Sequence, residues 1–187
     1  VVDYPKHKSD SKPSGTITQE ELEQGIPRLQ QWDSRWGYLK YGNDMIAIDG
    51  CGPTCLSMVC SGMLQDASLT PDAMADFSID NNYYTAASGS AWSLMSSGAR
   101  KQGLQAEAVV ISADNIRSQL EKGHPMICSM KPGDFTTTGH FIVLTGLTDA
   151  GEVTVNDPNS IARSEQSWDM DTLVPQIKAG WAYTTGS

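Results

Sequence analysis

Long apolar runs are missing from this 187-residue sequence. A helix that crosses a bilayer needs about 20 apolar residues, and the best continuous stretch here, Phe141 to Leu144, is long enough only for a buried strand. Positive charge is also scarce: 13 Lys and Arg residues stand against 22 Asp and Glu residues, for a formal net charge of −9. Because phosphate contacts depend on Lys and Arg, this balance argues against nucleic acid as a partner.

Cysteine and histidine are few and poorly spaced for a metal site. The chain has no CxxC pair, and its three histidines are scattered, so a zinc site is not supported. Four cysteines, three of them in one short segment, are also too few for a disulfide framework. We therefore predict neither a metal nor another cofactor. The cysteines are Cys51, Cys55, Cys60 and Cys128.

The composition fits one globular domain with a polar extension. Hydrophobic residues make up 39% of the chain and charged residues 19%, which are ordinary values for a folded domain. Residues 1–17 are polar, so we assign them to an N-terminal tail or linker and assign 18–187 to the folded domain. A linker of this kind suits a domain that follows a removed signal or anchor, which predicts an extracellular or cell-surface location. A piece of a cytosolic protein is the alternative.

Capping signals and apolar periodicity predict the helices. Thr18 and Glu21 form a capping box for a short helix. A second helix begins near Cys51 to Pro53, because proline is tolerated only in the first turn and an apolar stripe at helical spacing follows it. Further helices begin at Thr or Ser caps, and the last two of them end before glycine. They are predicted at 70–79, 90–100 and 112–121.

Beyond residue 124 the pattern becomes typical of strands. The turn at residues 149–151 predicts a hairpin between two of them. Helices first and antiparallel strands afterwards is an α+β order. The strands are predicted at 125–130, 140–147, 153–156 and near 181–184.

Cys51 is the candidate nucleophile. A cysteine reacts as the thiolate, and a helix N-terminus stabilises that form. Cys51 lies at the predicted helix start between two glycines, which allow the backbone to approach a ligand. The competing interpretation is a small thiol that only packs. Cys55, one turn later, is the alternative nucleophile, whereas Cys60 and Cys128 fall at apolar positions and are interpreted as packing residues.

His140 and Asp157 are the candidate partners of the thiol, one on each strand of the predicted hairpin. His140 opens its strand and can present its ring to a cleft; a satisfied core histidine is the alternative. Counting from the hairpin turn places Asp157 opposite Val143 or Leu144, about three residues from His140. The hairpin therefore predicts proximity but not contact. By itself, Asn-Asp-Pro is only a turn former.

The segments QWDSRW, GCGPTCLSMV, GHFIVL and VNDP, in this order, resemble the bacterial double-glycine (bacteriocin-leader) peptidase-like family, family thirty-nine of the papain-like cysteine peptidases. The resemblance covers about residues 27–184. It implies a papain-like α+β fold, in which a helical part with the nucleophile helix packs on an antiparallel sheet. It also implies hydrolysis of a peptide or protein substrate without a cofactor. The family's triad maps to Cys51, His140 and Asp157.

The same resemblance implies an oxyanion donor upstream of the nucleophile. The family uses a glutamine side chain for this purpose, and Gln31, in Gln-Trp-Asp, is the best match. Gln30 adjoins it and is the competing position. With the backbone N–H of Cys51, Gln31 would form the oxyanion hole.

Two other functions stay open from the sequence. The same triad serves a thiol amidase or an acyltransferase that acts on cell-wall peptides. A papain-like module that has lost activity could instead keep the groove and only bind peptides. Labelling of Cys51 with an activity-based reagent separates the enzymes from the binding module.

Overall fold

The computed structural model describes residues 16–86 and 89–186. The predicted tail, residues 1–17, lies outside this part except for its last two residues. Of these, Ile17 is 2% exposed and packs in the core. No helix within the described ranges is both long and apolar enough to cross a membrane.

Most of the helices precede the sheet in the chain. The capping box at the first one is present: the Thr18 hydroxyl accepts from Glu21 N, and the Glu21 carboxylate accepts from Thr18 N. At two later helices, the hydroxyl of Thr70 accepts from Ala73 N and that of Ser112 accepts from Asn115 N, which confirms those predicted starts. The bounds are α1 (Gln19–Leu22), α2 (Ile46–Asp49), α3 (Cys51–Leu64), α4 (Pro71–Asp80), α5 (Ser97–Lys101), α6 (Ala113–Glu121), α7 (Ile161–Glu165) and α8 (Met170–Leu173), with 3₁₀ turns at Trp92–Leu94 and Val174–Gln176.

The helix predicted over residues 90–100 is wrong in its first half. Ser90 does not cap a helix; it lies in a two-residue strand that pairs with Tyr84. Its hydroxyl is 2.7 Å from the Tyr41 hydroxyl, with which it shares a hydrogen bond. These long-range hydrogen bonds outweigh the local capping preference of serine, so the α-helix begins only at Ser97.

Ten strands lie within the described chain. They are β1 (Lys40–Tyr41), β2 (Asp44–Met45), β3 (Tyr84–Thr85), β4 (Gly89–Ser90), β5 (Leu104–Val109), β6 (Met126–Met130), β7 (His140–Leu147), β8 (Val153–Asn156), β9 (Ser167–Trp168) and β10 (Ile177–Thr185). The last six form one antiparallel sheet in the order β5-β10-β6-β7-β8-β9. The sequence predicted the bounds of β7 and β8, placed only part of β10, and missed β5.

Both faces of this sheet are buried at its central strands, β6 and β7. Ile127 of β6 and Val143 of β7 belong to a buried cluster that includes α3. Their neighbours along the strands, Cys128 and Ile142, belong to a second cluster, on the other face, that includes α6. This is the alternation expected along a strand. Every residue of α3 from Gly52 to Gly62 is buried, so α3 is a central helix rather than a surface helix with a single apolar stripe.

We expect Gly62→Ala to destabilise the fold. A Cβ at Gly62 would collide with the Gly25 carbonyl oxygen and lie 2.9 Å from Ile26 Cα. Because backbone must move, the free energy of unfolding should fall by about 1–3 kcal/mol. Gly98→Ala is the control: its nearest contact would be the Leu94 side chain, at 3.2 Å, and alanine favours the helix by about 1 kcal/mol. Urea unfolding followed by circular dichroism measures both variants, and equal losses would contradict the packing argument.

Candidate active site

Cys51 is the first residue of α3 and follows Gly50 directly. The first N–H groups of an α-helix have no partner inside the helix, so those of Cys51 and Gly52 point out of its N-terminal end. The helix dipole adds partial positive charge at the same place. Cys51 is half-buried and lines a cleft of about 960 Å³.

The glycine after the nucleophile candidate is required by packing. A Cβ at Gly52 would collide with the Ser90 hydroxyl. That hydroxyl shares a hydrogen bond with Tyr41, whose own hydroxyl is 2.8 Å from Ser78 Oγ. The start of α3 therefore rests against a buried polar network, and the Cys-Gly pair is explained by this close approach.

His140 connects the thiol to a carboxylate. Its Nε2 donates to Asp157 Oδ1 over 2.7 Å, which leaves Nδ1 for the side-chain hydrogen bond with Cys51. Burial of the ring lowers the pKa of His140, but its hydrogen bonds to Asp157 and Cys51 raise it and outweigh the effect of burial. The resulting pKa is about 9, so the imidazole is protonated at neutral pH.

Asp157 is fully buried and has three donors. Oδ1 accepts from His140 and from Asn159 N, the latter over 2.8 Å, and Oδ2 accepts from Arg163 Nε over 2.7 Å. Burial of the carboxyl raises its pKa, but the contacts with His140, Arg163 and Asn159 together hold the pKa of Asp157 below its ordinary value. The carboxylate is therefore ionised while it orients the imidazole.

A β-bulge brings Asp157 within reach of His140. The regular count placed Asp157 opposite Val143 or Leu144. In the structure Val143 pairs with Asn156, because the register shifts by one residue between Leu144 and Gly146. Asp157 therefore lies one step beyond Asn156, nearer to His140 than the count implied.

Arg163 is a residue of the site that the sequence analysis did not identify. Ser160 caps α7 by accepting from Arg163 N over 3.0 Å, and Ser164 Oγ accepts from Asp157 N over 2.8 Å. The chain thus turns back on itself after Asp157, and the guanidinium reaches the carboxylate. A serine cap followed three residues later by arginine, just after Asn-Asp-Pro, was the available signal.

Gln31 lines the same cleft as Cys51 and His140. Its Nε2 donates to the carbonyl oxygens of Ala47 and Ile48, over 3.1 and 3.4 Å. These carbonyls belong to α2, whose last C=O groups lack partners within the helix. Gln31 Oε1 is buried and has no hydrogen-bond partner among the described residues.

Gln30, the competing glutamine, has a different place. Its Nε2 donates to the Asp157 carbonyl oxygen over 3.2 Å, and the adjacent Gln31 N donates to the Pro158 carbonyl oxygen over 2.7 Å. Gln30 thus packs behind the turn that follows β8, whereas the side chain of Gln31 reaches the cleft. Within the described residues, no group of three or more His, Cys, Asp or Glu side chains could hold a metal ion.

The other three cysteines are fully buried. Burial raises the pKa of each, and the pKa of Cys60 reaches about 12. At Cys55, burial has the larger effect, and proximity to Cys51 raises the pKa further. Their environments are those of packing thiols rather than nucleophiles.

We expect iodoacetamide at pH 7 to alkylate Cys51 of the folded protein and to spare the other three cysteines. Cys51 is the half-buried thiol in contact with His140, whereas Cys55, Cys60 and Cys128 have no exposed surface and raised pKa values. Peptide mapping after timed alkylation gives the rate at each position. The same reaction in 8 M urea is the control, in which all four should react. Faster labelling of Cys55 than of Cys51 in the folded state would contradict the prediction.

One solved structure agrees with this architecture. A crystal structure of a double glycine motif protease from an AMS/PCAT transporter, in complex with the leader peptide, superposes with a TM-score of 0.56 at 16% identity, over 91% of this chain and 98% of that one. The Salmonella effector SpvD, as its R161 variant, gives a TM-score of only 0.38 at 9% identity, over 100% and 91% of the two chains. A comparison with curated proteins gave no match.

The first of these structures shares the fold, which confirms the predicted papain-like α+β class. The sequence itself matches the model of the Peptidase_C39 like family over residues 23–187. This range includes all four segments on which the family resemblance was based and all the elements that line the cleft. The chain therefore belongs to the Peptidase_C39-like family.

Proposed function

We propose that this protein is a cysteine peptidase in which Cys51 is the nucleophile, His140 the acid and base, and Asp157 the residue that orients the imidazole. The observation that carries the proposal is that His140 interacts with the Cys51 thiol and also forms a hydrogen bond to the buried Asp157 carboxylate, at the edge of a large cleft. Family membership supports the reaction class.

The reaction begins from an ion pair between the Cys51 thiolate and the His140 imidazolium. The sulfur attacks the carbonyl carbon of the scissile peptide bond, and the carbonyl oxygen becomes an oxyanion. His140 then donates its Nδ1 proton to the leaving amine, the C–N bond breaks, and a thioester remains on Cys51. The neutral imidazole next takes a proton from water, whose hydroxide attacks the thioester. This step releases the carboxylic acid product and restores the thiolate and imidazolium.

The oxyanion is stabilised by donors at the start of α3. The backbone N–H of Cys51 has no intrahelical partner and accompanies the nucleophile. Gln31, which lines the same cleft, provides the second donor. The consecutive carbonyls of Ala47 and Ile48 can share one amide hydrogen of Gln31, which leaves the other for the oxyanion. One such donor typically contributes about 10²–10³ in rate.

A peptide is the substrate class that suits the cleft. In the related crystal structure, the double glycine motif protease is in complex with a leader peptide. The cleft of this chain has room for several residues, at about 960 Å³, and Ser129, Thr137 and Thr138 in its lining offer hydroxyl groups to a peptide backbone.

Substitution of the two neighbouring cysteines tests the nucleophile. We expect Cys51→Ala to reduce kcat/KM by about 10⁴-fold or more, because no other thiol faces His140. Cys55→Ala is the matched control, one turn further along α3: it should keep most of the activity and lose only about 1 kcal/mol of stability for the missing sulfur. Cleavage of a mixed peptide library, followed by mass spectrometry, supplies the substrate and the rates. An inactive Cys55→Ala beside an active Cys51→Ala would refute the assignment.

The pH dependence tests the role of Asp157. Activity requires protonated His140, so kcat/KM should fall as the pH rises through the pKa of His140, about 9. Burial lowers this pKa and the carboxylate of Asp157 raises it, so Asp157→Asn should move the alkaline limb to lower pH. Asp149→Asn, which removes the same charge in the exposed hairpin turn, should leave the limb in place. An unmoved limb in folded Asp157→Asn would show that the carboxylate does not support the imidazolium.

The same library assay separates the other candidate functions. An acyltransferase would form the thioester at Cys51 and pass the acyl group to an added amine in preference to water. A thiol amidase would pass the acyl group to water, as a peptidase does, but would act on cell-wall peptides in preference to the library. A binding module would retain peptides without cleaving them, and its Cys51 would not form a covalent adduct with a peptide aldehyde or vinyl sulfone.

A further inference from the structure

Arg163 uses only part of its hydrogen-bonding capacity within the protein. Its Nε donates to Asp157 Oδ2 over 2.7 Å. A guanidinium has five N–H donors, and the four on Nη1 and Nη2 have no partner in the part of the chain that the structure describes. The side chain is 26% exposed and lines the cleft. The outer edge of the guanidinium is therefore available to a molecule in the cleft.

The charges around the cleft are unlike those of the whole chain. The protein carries a net charge of −9, yet the charged side chains in the described lining are two cations, Arg163 and Lys178, one acid, Asp49, and His140. Asp49 is the last residue of α2 and lies two residues before Cys51 in the chain. The pKa of its carboxyl is raised mainly by burial and, to a lesser extent, by the nearby charge of Asp44.

The two cations lie on opposite sides of His140. Lys178 is on β10, two strands from β7 in one direction, whereas Asp157 and Arg163 follow β8, the neighbour of β7 in the other direction. With strands about 4.8 Å apart, Lys178 belongs to a strand about 10 Å from that of His140. Its Nζ is 5.7 Å from the centre of the Trp92 ring. A ligand at Arg163 therefore does not share Lys178.

We propose that Arg163 binds a carboxylate of the peptide substrate at the end of the cleft beyond Asp157. Asp157 binds the Nε–H of the guanidinium, so Nη1 and Nη2 can donate to a carboxylate in a bidentate arrangement. The proposal rests on the peptidase function above and adds a substrate preference to it. The carboxylate can belong to an acidic side chain or to the C-terminus of a short peptide, and the experiment below separates these sources.

Alkylation of Cys51 by matched reagents tests the subsite without a known substrate. N-bromoacetyl peptides of one to three glycines, each as the free acid and as the amide, differ only in a carboxylate; each extended residue adds about 3.5 Å of reach. N-bromoacetyl-aspartic acid amide and N-bromoacetyl-asparagine amide place the same difference on a side chain. In every case the Cys51 sulfur displaces bromide and forms a thioether.

The measured quantity is the ratio of the alkylation rate constants of acid and amide, divided by the same ratio for free cysteine. Because both reagents attack the same sulfur, a change in the reactivity of Cys51 itself cancels. We expect the best-matched pair to give a ratio about three- to fivefold higher in the wild type than in Arg163→Gln, as for a partly exposed ion pair. Lys178→Gln, the matched control, should keep the wild-type ratio, and 0.5 M salt should reduce it.

Arg163→Lys covers the case in which Arg163→Gln does not fold. Lysine keeps the positive charge but lacks the planar guanidinium. The acid-to-amide ratio of this variant should therefore fall between one and the wild-type value. A larger effect in the glycine series assigns the subsite to a C-terminal carboxylate, and a larger effect in the aspartate pair assigns it to an acidic side chain.

Two results would overturn the proposal while the peptidase function stands: a ratio near one in the wild type, or a ratio that Lys178→Gln abolishes and Arg163→Gln does not change. Failure of every reagent to alkylate Cys51 in the folded wild type would instead refute the peptidase function. The subsite would then fall with it.

Discussion

The buried carboxylate of Asp157 is the constraint on which the arrangement of the site depends. An ionised group without exposed surface is stable only when its oxygens are satisfied, and here three donors satisfy them: the ring of His140, the guanidinium of Arg163 and the backbone of Asn159. Each donor comes from a different piece of chain, so the carboxylate joins the start of β7, the turn after β8 and α7. The orientation of the imidazole follows from this shared anchor.

The nucleophile side of the site is held by different forces. α3 is enclosed by apolar packing along its length, and its first turn rests on the hydroxyl network of Tyr41, Ser78 and Ser90. Close packing therefore positions Cys51, whereas the hydrogen bond to an ionised carboxylate positions His140. The cleft lies where these two supports meet, and a peptide bound there would contact both.

Local signals were sufficient wherever one short segment determines its own structure, as at the Ser112 cap and the turn between β7 and β8. They failed where distant residues decide. Ser90 is held by Tyr41 rather than by a helix end. Arg163 differs from Ser90: it was missed although its signal is local, a Ser160 cap just after Asn-Asp-Pro. The direction of the Gln31 side chain follows from the unpaired carbonyls of α2, which a sequence pattern does not reveal. The roles of Cys51, His140, Asp157 and Gln31 in chemistry remain predictions.

The bulge at Thr145 also limits how the chain could change in length. Side chains alternate between faces with a period of two, so adding or removing one residue within a paired strand moves the following side chains to the other face. Within β8, such a change would turn the carboxylate of Asp157 away from His140. At the tip of the hairpin, around Ala150 and Gly151, the pairs on both sides would be kept. Related chains can therefore vary in length at the tip of the hairpin. Deletions within the paired residues of β7 and β8 should be found only together with a compensating change at the bulge.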